Sequence, residues 1–255
     1  MKKVLIKIGG RAASDETSLA ALASEMAALQ NEHSFFFVHG GGAEVTKVSA
    51  LFGLEAVFEN GVRKTTPAEM DVVDMVLGGR MNKYIVRLFA SKGLKAVGIS
   101  GADGSLFTGR AVAEGSRTGH VTAADPSVMS LLGDAGYLPV ISSVSMDAEG
   151  LALNINADEA ALAVASAVPV DDLIFISDIP GILKNDRVIA ELSPAGIQQE
   201  IDAGVISGGM IPKVESSVKA LRDGVESVII GGYTAKGDLA KLLDGTTGTR
   251  IYNGT

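Results

Sequence analysis

Short apolar runs alternate along this chain with Ala- and Leu-rich segments, and that alternation restricts the fold more than any other feature. The runs are Val4–Ile8, Phe35–Val38, Ala96–Ile99, Leu138–Ile141, Leu173–Ile176 and Val228–Ile230. Rich in Val, Ile and Phe and only a few residues long, they read as strands buried on both faces. Between them lie Ser18–Gln30, Met70–Leu77, Asn82–Ser91, Asp158–Ala167 and Val214–Arg222, whose composition reads as helix. Strand–helix alternation of this kind predicts an α/β fold, a three-layer αβα sandwich with a central, mainly parallel open sheet. Two stretches read as hairpins. Val57-Phe58-Glu59-Asn60-Gly61-Val62 turns at Asn-Gly, and Val144–Leu153 turns at Asp147–Gly150.

The 255 residues suit one large domain or two intimate lobes. A weak boundary falls at Val168-Pro169-Val170-Asp171-Asp172, dividing residues 1–168 from 169–255, and the sheet is expected to continue across it. With 22 Lys and Arg against 30 Asp and Glu, the net charge of −8 argues against a nucleic-acid partner, which a basic face would announce. Cysteine is absent, which excludes disulfides, a thiolate nucleophile and cysteine metal sites. The first apolar stretch, Val4-Leu5-Ile6, is cut by Lys7 and is too short for a signal peptide. No run approaches the ~18 residues of a membrane span. The expectation is a cytoplasmic protein with no membrane partner.

Five of the strands end in small residues at their carboxyl ends. Ile8 leads into Gly9-Gly10, Val38 into His39-Gly40-Gly41-Gly42, Ile99 into Ser100-Gly101, Ile176 into Ser177-Asp178-Ile179-Pro180-Gly181, and Ile230 into Gly231-Gly232. Ligands of open parallel sheets bind beyond those ends. Glycine there lets backbone N–H groups face an anion, although glycine is also the default turn residue. Familiar phosphate motifs are missing. There is no Gly-Lys dipeptide for a Walker A loop, and Val45 stands where a third dinucleotide-binding glycine would follow Gly40 and Gly42. His39-Gly40-Gly41-Gly42 resembles an esterase oxyanion loop, but the G-x-S-x-G elbow is absent.

Four charged residues sit in unusual company. Lys7 interrupts an apolar strand, so it either meets an anion or marks an edge strand facing water. Lys213 follows Gly208-Gly209-Met210-Ile211-Pro212 at a helix start, where a cation opposes the dipole unless an anionic ligand is bound. Asp158 follows Asn156, and Asn156 with Glu159 fits a capping box. Arg63 follows the Asn60-Gly61 turn and alone reads as solvated. His33, His39 and His120 lack an evident acidic partner, and no metal-ligand spacing occurs.

Six stretches carry a family resemblance: Ile6-Lys7-Ile8-Gly9-Gly10, Val38-His39-Gly40-Gly41-Gly42, Asn60-Gly61-Val62-Arg63, Asn154-Ile155-Asn156-Ala157-Asp158, Ser177-Asp178-Ile179-Pro180-Gly181-Ile182-Leu183 and Gly208-Gly209-Met210-Ile211-Pro212-Lys213. In this order and spacing the chain resembles, from end to end, the acetylglutamate kinases of the amino acid kinase family. The resemblance implies the amino acid kinase fold, with an N-terminal lobe (1–168) for N-acetylglutamate binding and dimerisation and a C-terminal lobe (169–255) for ATP. It implies transfer of the ATP γ-phosphoryl group to the side-chain carboxylate of N-acetyl-L-glutamate, in arginine biosynthesis. ATP is the implied cofactor, with Mg2+ carried on it and no dedicated protein ligands.

By the same resemblance Lys7 bridges to the transferring phosphoryl group, Lys213 neutralises the leaving side and Asp158 holds both lysines. Gly9, Gly41 and Gly42 offer N–H groups, Arg63 grips the acceptor's α-carboxylate and Asn154 helps fix it. Gly9, Gly10, Asp178, Ile179, Pro180, Gly181, Ile182, Leu183, Val205, Ile206 and Ser207 are the implied nucleotide-binding residues. Arginine-inhibited members carry an extra N-terminal helix that links dimers into hexamers. With a first strand at about Lys2, the expectation is an arginine-insensitive homodimer. A sibling kinase acting on an aminoadipate group differs by one methylene, worth ~1–3 kcal/mol of discrimination. A catalytically inactive nucleotide or amino-acid sensor would be expected to have lost one of Lys7, Asp158 and Lys213.

Overall fold

The computed structural model describes residues 1–9, 12–59 and 61–253, so Gly10 and Asn60 lie outside the described residues. In chain order the strands are β1 (Lys2–Ile8), β2 (His33–His39), β3 (Val57–Glu59), β4 (Val62–Lys64), β5 (Ala96–Ser100), β6 (Phe107–Ala111), β7 (Thr118–Ala124), β8 (Leu138–Ser142), β9 (Val144–Met146), β10 (Ala152–Ile155), β11 (Asp172–Ser177), β12 (Leu183–Lys184), β13 (Arg187–Val188), β14 (Glu191–Leu192), β15 (Ser227–Gly232) and β16 (Thr249–Tyr252). The helices are α1 (Glu16–Leu29), α2 (Gly42–Leu51), α3 (Pro67–Val73), α4 (Asn82–Ala90), α5 (Ser127–Asp134), α6 (Ala157–Ala167), α7 (Pro194–Asp202), α8 (Met210–Arg222) and α9 (Asp238–Leu243).

Eight strands form the central sheet in the order β14-β16-β15-β11-β1-β2-β8-β5. Every neighbouring pair is parallel except β15 with β16. All six strands expected from the sequence are present, each longer by one to three residues. The sheet runs unbroken across the boundary at 168–172, because β11 pairs with β1 from Val4↔Asp172 to Ile8↔Ile176. A smaller closed set, β10-β7-β6-β9, stands beside it. Strands β6 and β7 were not expected. Their glycines, hydroxyls and half-exposed positions give no apolar run.

Side-chain alternation on β1 divides the core. Val4, Ile6 and Ile8 join one cluster with residues of α1, α3 and α4, while Leu5 joins the other with α6, α8 and β11. Each fully buried aliphatic or aromatic side chain contributes roughly 1.5–3 kcal/mol. Lys7 points to the same face as Leu5 by the two-residue period of a strand. Strand β1 is central, between β11 and β2, so Lys7 is not an edge residue.

Two expectations are corrected. Met70–Leu77 and Asn82–Ser91 are not separate helices, because a stretch of wider π-type turns, Asp74–Met81, joins α3 to α4. Asn156 does cap α6, its side chain accepting from Asp158 N at 2.8 Å, but Glu159 does not complete a capping box. Glu159 instead accepts from Val121 N at 2.7 Å and pairs with His120. Both expected hairpins form, β3 with β4 and β9 with β10. Among the described residues no helix is long and apolar enough to cross a membrane.

A buried carboxylate ties distant parts of the chain together. Glu25 of α1 accepts from Tyr233 Oη at 3.1 Å and from the N–H groups of Gly237 and Ala240 at 3.0 and 2.8 Å, at the start of α9. Burial and the Glu25 charge push the Tyr233 phenol above its ordinary range. Removing a buried charged acceptor strands its donors. Glu25→Ala is expected to cost about 3 kcal/mol, lowering Tm by roughly 6–12 °C in calorimetry. An unchanged Tm would show that the cap carries no stability.

Candidate active site

Three ionic side chains from three elements meet beyond the carboxyl end of β1. Lys7 comes from the strand, Asp158 from the first turn of α6 and Lys213 from the first turn of α8. Lys7 Nζ lies 2.5 Å from Asp158 Oδ1, and Lys213 Nζ lies 3.2 Å from Asp158 Oδ2. The first-turn acid of α6 is thus no surface cap, and neither lysine is a solvated one. Lys213 Nζ also sits 5.0 Å from the centre of the Phe175 ring.

Burial pulls the Lys7 ammonium below its ordinary range, with Asp158 opposing and Lys213 adding to the effect. Burial alone would push the Asp158 carboxyl up. The charges of Lys7 and Lys213 more than offset it, and the carboxyl is held below the usual carboxylate range. Two lysines on one carboxylate leave the cluster net cationic, at the mouth of two helix N-termini. Such a site favours an anion.

Glycines complete the floor. A Cβ on Gly9 would collide with Lys7 Nζ, and one on Gly41 with Met81 Sδ and Leu77. Gly42 begins α2 and has open space on its Cβ side. Lys7, Gly9, Gly41, Gly42, Arg63, Asn154 and Asp158 all line one cavity of about 270 Å3. A second, of about 790 Å3, shares Asp158 with it and adds Lys213 and the face between β7, α6 and α8.

Arg63 is buried rather than solvated. Its Nη1 donates to Glu69 Oε1 at 2.7 Å, its Nη2 donates to Gly42 O at 2.9 Å and to Thr46 Oγ1, and its guanidinium lies 4.7 Å from the Phe58 ring centre. Asn154 Nδ2 donates to Thr65 Oγ1 at 2.9 Å. Thr118 Oγ1 donates to Arg63 O at 2.7 Å and accepts from Thr65 N at 2.8 Å, bracing the hairpin against the small barrel. Glu69, Thr65 and Thr118 carry no signal as single residues. Thr66 followed by Glu69 resembles a helix cap, and only the fold turns Glu69 toward Arg63.

The segments expected to bind nucleotide are not gathered as closely. Asp178, Ile179 and Pro180 line a cavity of about 610 Å3 with Tyr233 and Thr234, at the carboxyl ends of β11 and β15. Gly181, Ile182, Leu183, Val205, Ile206 and Ser207 do not line it. Ile182 N donates to Thr249 Oγ1, Leu183 pairs with Val188 in the β12–β13 hairpin, and Val205 and Ile206 donate to Glu200 O between α7 and α8. Of the histidines, His120 does have an acidic partner, with Nδ1 3.2 Å from Glu159 Oε2.

A parallel sheet whose glycine-tipped edge presents two lysines on one carboxylate is built to hold a highly charged anion. The model of the amino acid kinase family matches residues 2–232, and the chain belongs to that family. Among its relatives are the acetylglutamate kinases of Geobacillus kaustophilus, 40% identical over 91% of each chain, and of Chloroflexus aurantiacus, 40% identical over 98% of this chain and 96% of that one. The crystal structure of smu.665 from Streptococcus mutans superposes with a TM-score of 0.82 at 27% identity, covering 99% of both chains. The N-acetylglutamate synthase of Neisseria gonorrhoeae shares the fold at a TM-score of 0.85 and 20% identity, this chain spanning 60% of it.

The ion pairs set a measurable order of effects. Asp158 raises the Lys7 pKa, so Asp158→Asn is expected to move Lys7's titration to still lower pH. Carbon-13 NMR of the Lys7 Cε reads this directly, and an unmoved titration would contradict the pairing.

Proposed function

We propose that the protein is an acetylglutamate kinase, transferring the γ-phosphoryl group of MgATP to the side-chain carboxylate of N-acetyl-L-glutamate to give N-acetyl-L-glutamyl 5-phosphate, in arginine biosynthesis. The observation that carries this reading is the carboxylate of Asp158 shared by Lys7 and Lys213 beside Gly9, Gly41 and Gly42. The 40% identity to enzymes of that name, over nearly the whole chain, supports the acceptor.

The acceptor carboxylate has an ordinary pKa near ~4.3 and is ionised at neutral pH, so no general base is required. The difficulty is bringing one anion onto another. Phosphoryl transfer of this kind rests on positioning and charge neutralisation. Lys7 and the N–H groups of Gly9, Gly41 and Gly42 receive the transferring group. Lys213 takes charge developing on the leaving side. Asp158 orients the two ammonium groups and takes no proton, which suits a carboxyl held below its usual range.

Arg63 takes the α-carboxylate of the acceptor and Asn154 helps to hold it. Asp178 to Leu183 and Val205 to Ser207 serve the nucleotide, whose Mg2+ arrives with it. We assign residues 1–168 to the acceptor and 169–255 to ATP. The assembly we assign is a homodimer in the cytoplasm, on family resemblance, and light scattering should return the mass of two chains. A hexamer would contradict it.

The test is hydroxylamine trapping of the acyl phosphate with MgATP and N-acetylglutamate, glutamate, N-acetylaspartate, N-acetylaminoadipate or no acceptor. A hydroxamate formed chiefly with N-acetylglutamate is expected. A signal chiefly with the longer acceptor would move the reading to the aminoadipate branch, and silence with all would overturn it. Lys7→Ala and Lys213→Ala are each expected to lower kcat at least ~100-fold, a loss of roughly 2.7 kcal/mol, with the far-UV CD spectrum retained. Near-normal turnover in either would remove the role assigned to it.

A further inference from the structure

We propose that His39 is a positioning residue, which aims the Gly41 N–H into the active-site cavity through the peptide that joins Gly40 to Gly41. This rests on the kinase reading for its consequence in turnover but on geometry for its mechanism.

His39 ends β2, in register with Ile8 and Ser142, and has no solvent exposure. Its Nδ1 lies 3.0 Å from Gly40 O and its Nε2 lies 3.2 Å from Asn82 Nδ2. Asn82, equally buried, fixes which nitrogen carries the proton. Its Oδ1 accepts from Lys83 Nζ at 3.0 Å, and its Nδ2 donates to Val140 O at 2.8 Å and faces Ile99 O at the longer distance of 3.3 Å. The amide therefore turns its nitrogen, not its oxygen, to Nε2, and a proton on Nε2 would face a donor with no acceptor to take it. A neutral imidazole has one donor and one acceptor. With Nε2 accepting, the proton lies on Nδ1 and is donated to Gly40 O. Burial holds the ring down to about 4, so it stays neutral at working pH.

Gly40 O and the Gly41 N–H belong to one peptide group. In a planar trans peptide they point in opposite directions, and no cis bond occurs among the described residues. An oxygen held inward by His39 turns the N–H outward, where Gly41 lines the small cavity. The other side of Gly40 is also fixed, its N–H donating to Ile8 O at 3.1 Å. His39 thus touches no substrate and moves no proton. It sets the angle of a donor that does the binding.

The test compares three replacements. Asn places an amide nitrogen near the position of Nδ1, Gln places one near Nε2, and Leu supplies neither. His39→Leu and His39→Gln are expected to lower kcat about 30-fold, with KM for MgATP changed less than about 3-fold, a fraction of the ~10²-fold typical for losing an anion-binding donor outright. His39→Asn is expected to recover to within about 3-fold of the parent. If His39→Leu does not fold, Asn against Gln decides, and equal kcat in the two would overturn the proposal. Nitrogen-15 NMR of the His39 ring gives a readout independent of turnover. The Nδ1–H tautomer is expected, and the Nε2–H tautomer would overturn the proposal even in a protein inactive with every acceptor.

Discussion

One carboxylate shared by two ammonium groups organises this molecule. Asp158 meets Lys7 at 2.5 Å and Lys213 at 3.2 Å, and the three come from the first strand and from two helices far along the chain. Taking such charges out of water costs several kcal/mol per ion, which close geometry only partly offsets. The arrangement is therefore a poor device for stability and a good one for holding charge ready. Its demands explain nearby details. Strand β1 must be central, α6 must be capped by Asn156 so that its first turn faces the strand, and residue 9 must lack a side chain because the Lys7 amine lies over it.

The Arg63 side of the site is held by a different logic. Arg63 binds Glu69, Gly42 O and Thr46 within the protein, so the guanidinium reaches the cavity already oriented. Its planar fork suits simultaneous partners in a way that an ammonium does not. Because Arg63 donates to the carbonyl of Gly42, the guanidinium we assign to the acceptor and the glycine loop at the start of α2 are one hydrogen-bonded unit. The Neisseria synthase shares this fold over 60% of its own length, and architecture by itself names no activity, so chemistry has to be read from these side chains.

What the sequence disclosed and what it withheld follow from range. The central strands were legible because burial on both faces writes an uninterrupted apolar run, and Lys7 was legible because a cation breaks that run. Asp158 and Arg63, taken alone, were not, since a first-turn acid and a residue after a tight turn have ordinary surface duties. Their partners arrive from other elements, and family resemblance rather than local pattern singled them out. Glu159 misled, because spacing fits a capping box while β7 offers Val121 N as a nearer donor. Strands β6 and β7 escaped notice since a small barrel with half-exposed walls needs no continuous apolar sequence.

Glu25 redraws the mechanical map of the chain. Its carboxylate belongs to α1, early in the first half, yet its three donors belong to the end of β15 and the start of α9. Any motion that preserves those bonds must carry α1 along with α9. A boundary drawn at residue 168 separates the sequence but not the structure, since these bonds and the β1–β11 pairing both cross it. In terms of leverage, the first helix is a strut: its apolar face is anchored among α3 and α4, while its one buried carboxylate holds the start of α9, so it braces the two halves of the chain against each other.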